Sequence, residues 1–154
     1  MNWDAIGALA ELLGAAAVLV TIVYLARQIK QNSDIARVEA FRDMQKQWSE
    51  MRERTMQPEN LSLINRGMQG IDKLDESEQL RFHKLMGDEF AFLDTVMLME
   101  RKGLFDAEYR VVENFGQYYR HMLVFPGVME FWVTIIDGTR PYLVEWVDQN
   151  SPKT

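Results

Sequence analysis

The sequence predicts an all-α fold: an N-terminal transmembrane helix that continues into a long cytoplasmic helix, followed by a small helical bundle. Three observations predict this class. Residues 5–26 form one apolar run, apolar side chains in the rest of the chain recur at spacings of three and four, and no segment alternates convincingly with the period of two typical of strands. A chain of 154 residues has room for one domain beside such a helix.

Four segments follow from this pattern. Residues 1–27 are predicted as the transmembrane helix, 28–57 as a juxtamembrane helical stalk, 58–150 as a cytoplasmic helical domain and 151–154 as a tail. The chain contains no cysteine, which excludes disulfides, thiolate metal sites and cysteine nucleophiles. Its net charge of -6 disfavours nucleic acid as a partner.

The apolar run is long enough to cross a lipid bilayer. Glu11 is its only charged residue, and a helix rising about 1.5 Å per residue would extend across a hydrocarbon core of about 30 Å. A signal peptide is disfavoured, because Asp4 rather than a basic residue precedes the run and no small-residue cleavage site follows Tyr24. A buried core helix of this length would normally carry a polar face. A retained membrane anchor is therefore expected.

The flanking charges predict its orientation. No lysine or arginine precedes the run, whereas four basic residues follow it closely: Arg27, Lys30, Arg37 and Arg42. Basic residues accumulate on the cytoplasmic side of membrane helices. The N-terminus is therefore expected outside and the C-terminal domain in the cytoplasm.

Small residues form a stripe along the predicted membrane helix. They recur at alternating spacings of three and four: Gly7, Ala10, Gly14, Ala17 and Thr21. Such a stripe allows a second helix to approach closely, and close packing drives helix association in lipid. We expect a homo-oligomer or a place in a larger membrane complex, because the stripe does not reveal whether its partner is the same chain or another.

Glu11 borders this stripe and has two interpretations. A carboxylate in hydrocarbon costs about 3 kcal/mol on insertion scales, so it requires compensation. In one interpretation, a ring of glutamates in an oligomer lines a path for cations or protons. In the other, which we favour, Glu11 lies near enough to the outer surface to be hydrated or to hydrogen-bond a neighbouring helix.

The stalk is predicted to continue the membrane helix, either unbroken or with a small break near Asn32 and Ser33. Its apolar residues are sparse but recur at spacings of three and four, which gives one narrow face. This face is expected to pack on the rest of the domain or on a partner helix, and it comprises Val38, Phe41, Met44, Trp48 and Met51.

Prolines, glycines and a capping pattern divide the distal segment into further helices. A short helix is expected from Pro58, and Asp75 with Glu78 is expected to form a capping box at the start of a longer one that stops at Lys102 and Gly103. Three more helices are predicted. The first starts at Phe105 and Asp106 and is stopped by Pro126 and Gly127, the second is a short helix that contains Val128 and Trp132 and runs to Gly138, and the last has Pro141 in its first turn.

The sequence contains no recognisable pattern of catalytic, cofactor-binding or metal-binding residues. The two histidines, His83 and His121, lack the Glu-x-x-His spacing of dinuclear sites in helical bundles. No phosphate-binding glycine loop, calcium loop or nucleophile elbow is present in the sequence. We therefore expect a protein without enzymatic activity and without a cofactor.

Two parts of the sequence form a recognisable pattern: the opening residues MNWDAIGALAELLGAAAVLVTIVYLARQIKQN and a set of later glycine, proline and apolar positions. In both parts the chain resembles a group of small, mostly uncharacterised bacterial membrane proteins. The later positions are Pro58-Glu59-Asn60-Leu61, Arg66-Gly67, Leu74, Ser77-Glu78, Arg81-Phe82, Gly103-Leu104, Pro126-Gly127 and Trp132. This resemblance extends over nearly the whole chain. It implies an N-terminal helix in the bacterial inner (cytoplasmic) membrane and a cytoplasmic helical domain, and it supplies no catalytic residues.

Two functional classes are consistent with these features. The first is a membrane-anchored, non-catalytic interaction protein, either a homo-oligomeric scaffold or an accessory subunit of a membrane complex. The second is a small oligomeric ion channel or transporter with Glu11 lining the path. We favour the first, because almost every feature relates to burial or association and only Glu11 suggests transport.

Overall fold

The computed structural model of the chain describes residues 2–105 and 111–152. Over these residues the fold is all-α, as predicted. A long N-terminal helix is followed by five shorter ones and by two 3-10 turns at Ile71–Lys73 and Ile136–Gly138. The six helices are α1 (Trp3–Thr55), α2 (Pro58–Met68), α3 (Glu76–Arg101), α4 (Val111–Met122), α5 (Pro126–Ile135) and α6 (Pro141–Asn150).

The chain divides into two compact units, one ending at Ala40 and the other beginning at Phe41. Helix α1 is continuous through Asn32 and Ser33, where the sequence allowed a break. The boundary between the units falls inside the predicted stalk, so residues 41–57 group with the domain that follows them. Within the first unit, the described side chains from Ile6 to Glu39 are all exposed.

The second unit has a core of apolar side chains from every helix that it contains. The apolar residues of α4 show how the sequence builds this core: Val111, Tyr119 and Met122 lie at helical spacings and are all at most 2% exposed. The most completely buried side chains come from α3 to α6 and include Phe82, Met86, Leu93, Val96, Tyr119, Val128 and Val147.

The predicted stalk face is divided between the two units. Met44 and Met51 are buried in the core, and Phe41 and Trp48 are partly buried against it. Val38 belongs to the first unit and is 54% exposed. The face that packs on the domain therefore begins at Phe41.

The ends of the helices have local causes in the sequence. Proline occupies the first turn of α2, α5 and α6, where its missing N–H group has no intrahelical partner to lose. Asp75 and Glu78 form the predicted capping box at the start of α3. Gly103, with φ +68°, follows the end of α3, and the Leu104 N–H donates to the Met99 carbonyl in a Schellman arrangement.

Helix α4 begins at Val111 among the described residues. The predicted helix start at Phe105 and Asp106 falls partly outside them, since residues 106–110 are not described. Of the predicted tail, Ser151 is held by its hydroxyl and N–H groups, which both donate to the Val147 carbonyl at the end of α6.

A close approach of two glycines joins α2 to α5. A Cβ atom on Gly127 would collide with the carbonyl oxygen of Gly67, and one on Gly67 would collide with the ring of Phe82. The absence of a side chain at Gly127 therefore allows its backbone to approach that of Gly67, and the absence of one at Gly67 leaves room for the Phe82 ring.

Candidate functional site

The N-terminal part of α1 is a candidate membrane span. Helix α1 includes an 18-residue window with a mean hydropathy of 2.3, none of which is buried within the chain. Length and apolar composition are the two properties that identify it, and a core helix or a signal sequence shares them. The exposed side chains include Leu9, Leu12, Leu13, Leu19, Val20 and Ile22.

The small-residue stripe is open in this helix. A Cβ atom built on Gly7 or Gly14 meets no other atom within 4 Å, so both positions offer space to a neighbouring helix. The Thr21 hydroxyl donates to the Ala17 carbonyl at 2.8 Å, which satisfies this polar group within the helix. Ala10, Ala17 and Glu11 are exposed as well.

A cleft between the last third of α1 and α4 brings aromatic residues together with a charged one. We call it the α1–α4 cleft; its volume is about 420 Å³. It is lined by Phe41, Gln45, Trp48 and Arg52 of α1 and by Val111, Asn114, Phe115 and Tyr118 of α4. These residues recur at spacings of three and four on each helix, so one face of each helix supplies them.

Trp48 is the centre of an aromatic cluster at this cleft. Its ring centroid lies 5.0 Å from that of Phe115 and 5.2 Å from that of Tyr118, both in edge-to-face geometry. The ring of Phe92 lies 5.2 Å away on α3. Edge-to-face pairs bring the positive edge of one ring to the negative face of another, which favours this arrangement beyond the area it buries.

Arg52 is the charged residue of the cleft lining. Its Cζ atom lies 5.9 Å from the centroid of the Trp48 ring, within the range of a cation–π interaction. The side chain is exposed, so the guanidinium keeps contact with solvent at the edge of the cleft.

A buried carboxyl lies behind Tyr118. Glu89 of α3 is 2% exposed, and its carboxyl oxygens accept from the hydroxyls of Tyr118 at 3.5 Å and Tyr119 at 3.2 Å. Burial raises the pKa of Glu89 to about 7, although the two tyrosine hydrogen bonds oppose this shift. Burial also raises the pKa values of Tyr118 and Tyr119, with a further contribution from the nearby carboxylate.

The sequence contained a signal for the burial of Glu89 that composition alone does not reveal. Glu89 lies three residues after Met86 and four before Leu93, so it falls on the apolar face of α3. A single acid on such a face indicates a buried carboxyl. Its tyrosine partners lie on another helix, about thirty residues later, and no spacing rule relates them.

The two histidines do not converge on a common site. His83 packs 5.3 Å from the ring of Phe131, and its Nε2 atom is buried without a hydrogen-bond partner among the described residues. His121 meets the ring of Phe125 edge to face at 5.6 Å. In the part of the chain that the structure describes, no group of three or more histidines and carboxylates could hold a metal ion.

No family model, curated protein or solved structure matches the chain. Its function is therefore inferred from its own residues and geometry. Two features stand out: the exposed apolar segment of α1, and the α1–α4 cleft with the carboxyl of Glu89 behind it.

Proposed function

We propose that the chain is a membrane-anchored, non-catalytic interaction protein that acts as a homo-oligomeric scaffold or as an accessory subunit of a larger complex. We further propose that it lies in the inner membrane of a bacterium. The observation that carries this proposal is that every described apolar residue of α1 between Ile6 and Leu25 is exposed. An apolar surface of this length is costly in water, and lipid removes that cost.

The proposed orientation places the N-terminus outside and the C-terminal domain in the cytoplasm. It is supported by the basic residues that follow the apolar segment and by the absence of such residues before it in the sequence. Trp3 is 70% exposed and Tyr24 is 64% exposed, near the two ends of the segment. Such positions suit aromatic side chains at the level of the lipid headgroups.

Self-association is supported by a stripe that is longer than the five small residues. The same alternation of three and four continues beyond Thr21 through exposed residues of the first unit: Tyr24, Gln28, Gln31, Ile35 and Val38. These positions correspond to a and d of a heptad repeat. We call the whole series from Gly7 to Val38 the α1 seam; a parallel second copy would pair each position with its equivalent.

A mass measurement on purified full-length protein in a mild detergent tests the proposal. A stable oligomer is expected, and Gly14→Leu is expected to dissociate it because the larger side chain fills the space that a second helix needs. Ala16→Leu is the matched control, since this residue lies on the other side of the helix from the α1 seam. A monomer that captures one defined membrane protein would indicate an accessory subunit instead. Fractionation into the soluble phase would overturn both forms of the proposal.

A small oligomeric ion channel or transporter is the second candidate, because an exposed acid lies within the apolar segment. Glu11 follows Ala10 of the α1 seam, at a position that flanks a helix pair rather than at its centre. This position suits a polar contact between helices better than a pore. Cation flux in liposomes that is present in the wild type and lost in Glu11→Gln would favour the channel over the scaffold.

A further inference from the structure

We propose that the α1–α4 cleft binds a small aromatic carboxylate, with Arg52 pairing with the carboxylate and the aromatic side chains of the cleft contacting its ring. This binding site goes beyond the proposed scaffold function, which uses only the α1 seam. The proposal rests on the size of the cleft, its charge and the arrangement of its rings.

The size of the cleft matches a compact organic molecule. Small-molecule sites typically have volumes of about 300 to 1,000 Å³ and combine apolar walls with a few polar groups. The cleft has a volume of about 420 Å³, and its lining consists of five aromatic or aliphatic side chains, two amides and one guanidinium. A ligand of one or two fused rings fits this space better than a nucleotide or a peptide.

The charge of the cleft selects an anion. Arg52 is the one formally charged side chain in its lining, and the amides of Gln45 and Asn114 lie on the two opposing helices. Among the described residues, Arg52 forms no ion pair that would neutralise it. The guanidinium instead lies beside Trp48, a position that leaves its N–H groups available for the two oxygens of a carboxylate.

Glu89 offsets the charge of Arg52 only in part, since with a pKa raised to about 7 it is about half ionised at neutral pH, and Arg52 is one of the charges acting on it. Glu89 lies behind Tyr118 and is absent from the cleft lining, and burial favours its neutral form. A cationic ligand would meet Arg52 at the edge of the cleft without a lining carboxylate to attract it. The cleft therefore combines an aromatic lining with a positive charge at its edge.

The rings of the cleft favour an aromatic ligand over an aliphatic one. Trp48 is edge to face with both Phe115 and Tyr118, so rings in two orientations are held within about 5 Å of each other. A further flat ring can add to such a cluster by stacking or by edge contact. An alkyl chain would bury apolar area in the cleft but could not form the stacked or edge-to-face contacts of an aromatic ring.

Calorimetric titration of full-length protein in lipid nanodiscs tests this site, with 1-naphthoate as the probe and empty nanodiscs as the blank. Saturable binding of 1-naphthoate is expected. Arg52→Gln is expected to weaken it at least about tenfold, since an ion pair with a charged partner is lost. The matched control is Arg54→Gln, because Arg54 pairs with Asp88 at 3.4 Å and does not line the cleft.

Two further measurements distinguish a specific binding site from non-specific apolar binding. The neutral analogue 1-naphthalenemethanol is expected to bind more weakly than 1-naphthoate and to be insensitive to Arg52→Gln. Gln45→Trp is expected to block both probes, because Gln45 is an exposed lining residue and a larger side chain there fills the cleft without repacking the core. Absence of saturable 1-naphthoate binding, equal affinity for the two probes, or an equal loss in Arg54→Gln would each overturn the proposal.

Discussion

The hydroxyl of Tyr119 donates to Oε2 of Glu89 at 3.2 Å and lies 3.0 Å from the main-chain carbonyl of the same residue. This contact joins α4 to α3 inside the core, where Glu89 is 2% exposed. Burial is the largest influence on the carboxyl and raises its pKa to about 7. The protonation of Glu89 is therefore linked to the folding of the domain.

Glu89→Gln is expected to remove a pH dependence of stability. The unfolded chain releases this proton near pH 4.5, whereas the folded chain holds it until about pH 7, so wild-type stability falls as pH rises through this interval. The pKa shift of Glu89 corresponds to a full loss of about 3 kcal/mol in the free energy of unfolding. Glutamine stays neutral at every pH, and its side-chain oxygen can still accept from the Tyr119 hydroxyl. Chemical denaturation of the full chain in micelles at pH 5 and pH 8 measures the difference.

The variant should then match the wild type at pH 5 and exceed it at pH 8. Glu145→Gln provides the control, since this exposed glutamate of α6 has no part in the Tyr119 contact. If the variant and the wild type lose stability equally between the two pH values, Glu89 does not control this dependence.

Gly127→Ala is expected to destabilise the domain by about 3 kcal/mol. The new methyl group would overlap the Gly67 carbonyl oxygen, and backbone atoms cannot move aside as a flexible side chain can. Gly87→Ala is the matched control. Its Cβ atom would lie 3.9 Å from the Phe131 ring, an ordinary contact, and alanine favours the helix interior by about 0.5 to 1 kcal/mol.

Thermal unfolding of both variants checks this pair, followed by tryptophan fluorescence, to which the buried Trp132 contributes. The expected order of melting temperature is Gly87→Ala at or above the wild type and Gly127→Ala well below it. Similar melting temperatures for the two variants would mean that α2 and α5 do not approach as closely as described.

The helices were largely predictable because their causes are local. Pro58, Pro126 and Pro141 mark first turns, and Asp75 with Glu78 caps α3 through contacts within four residues. The α1–α4 cleft was not predictable, because Trp48 and Phe115 meet only when two distant segments cross. The tyrosine partners of Glu89 were hidden for the same reason. Periodicity shows which face of a helix is apolar, but not which helix covers it.

Asp75→Ala is expected to lower stability at neutral pH, and Asp75→Asn to lower it less. Asp75 accepts from the Glu78 N–H at 2.8 Å, which satisfies a donor at the start of α3, and asparagine also serves as an N-cap. The same hydrogen bond is the main cause that lowers the pKa of Asp75. Its charged form therefore contributes stability that is lost as pH falls through the folded-state pKa.

Thermal unfolding at pH 7 and at acidic pH measures this effect. The difference between Asp75→Ala and the wild type should be largest at pH 7 and should shrink in acid. Ser77→Ala is a useful comparison, since its hydroxyl donates to the same carboxylate without capping the helix. An unchanged difference at both pH values would show that the ionised carboxylate is not what stabilises the cap.

Polar substitution of Ile35 and Val38 is expected to weaken self-association without unfolding the domain. Both residues belong to the α1 seam, and they are 50% and 54% exposed in the single chain, so a monomer loses no core contact when they become glutamine. A second copy that packs on the α1 seam would bury them, and two glutamines would then reduce the apolar contact. Ile29→Gln is the matched control, because Ile29 is 65% exposed and lies off the α1 seam.

Sedimentation of full-length protein in density-matched detergent distinguishes the two outcomes. The double variant Ile35→Gln/Val38→Gln is expected to shift towards monomer while keeping its melting temperature, and Ile29→Gln is expected to remain associated. An equal shift in both variants would indicate loss of general apolar attraction rather than of a defined seam. The double variant could instead remain associated and dissociate only when Gly14→Leu is added to it. That result would confine the helix contact to residues 7–21, within the apolar segment.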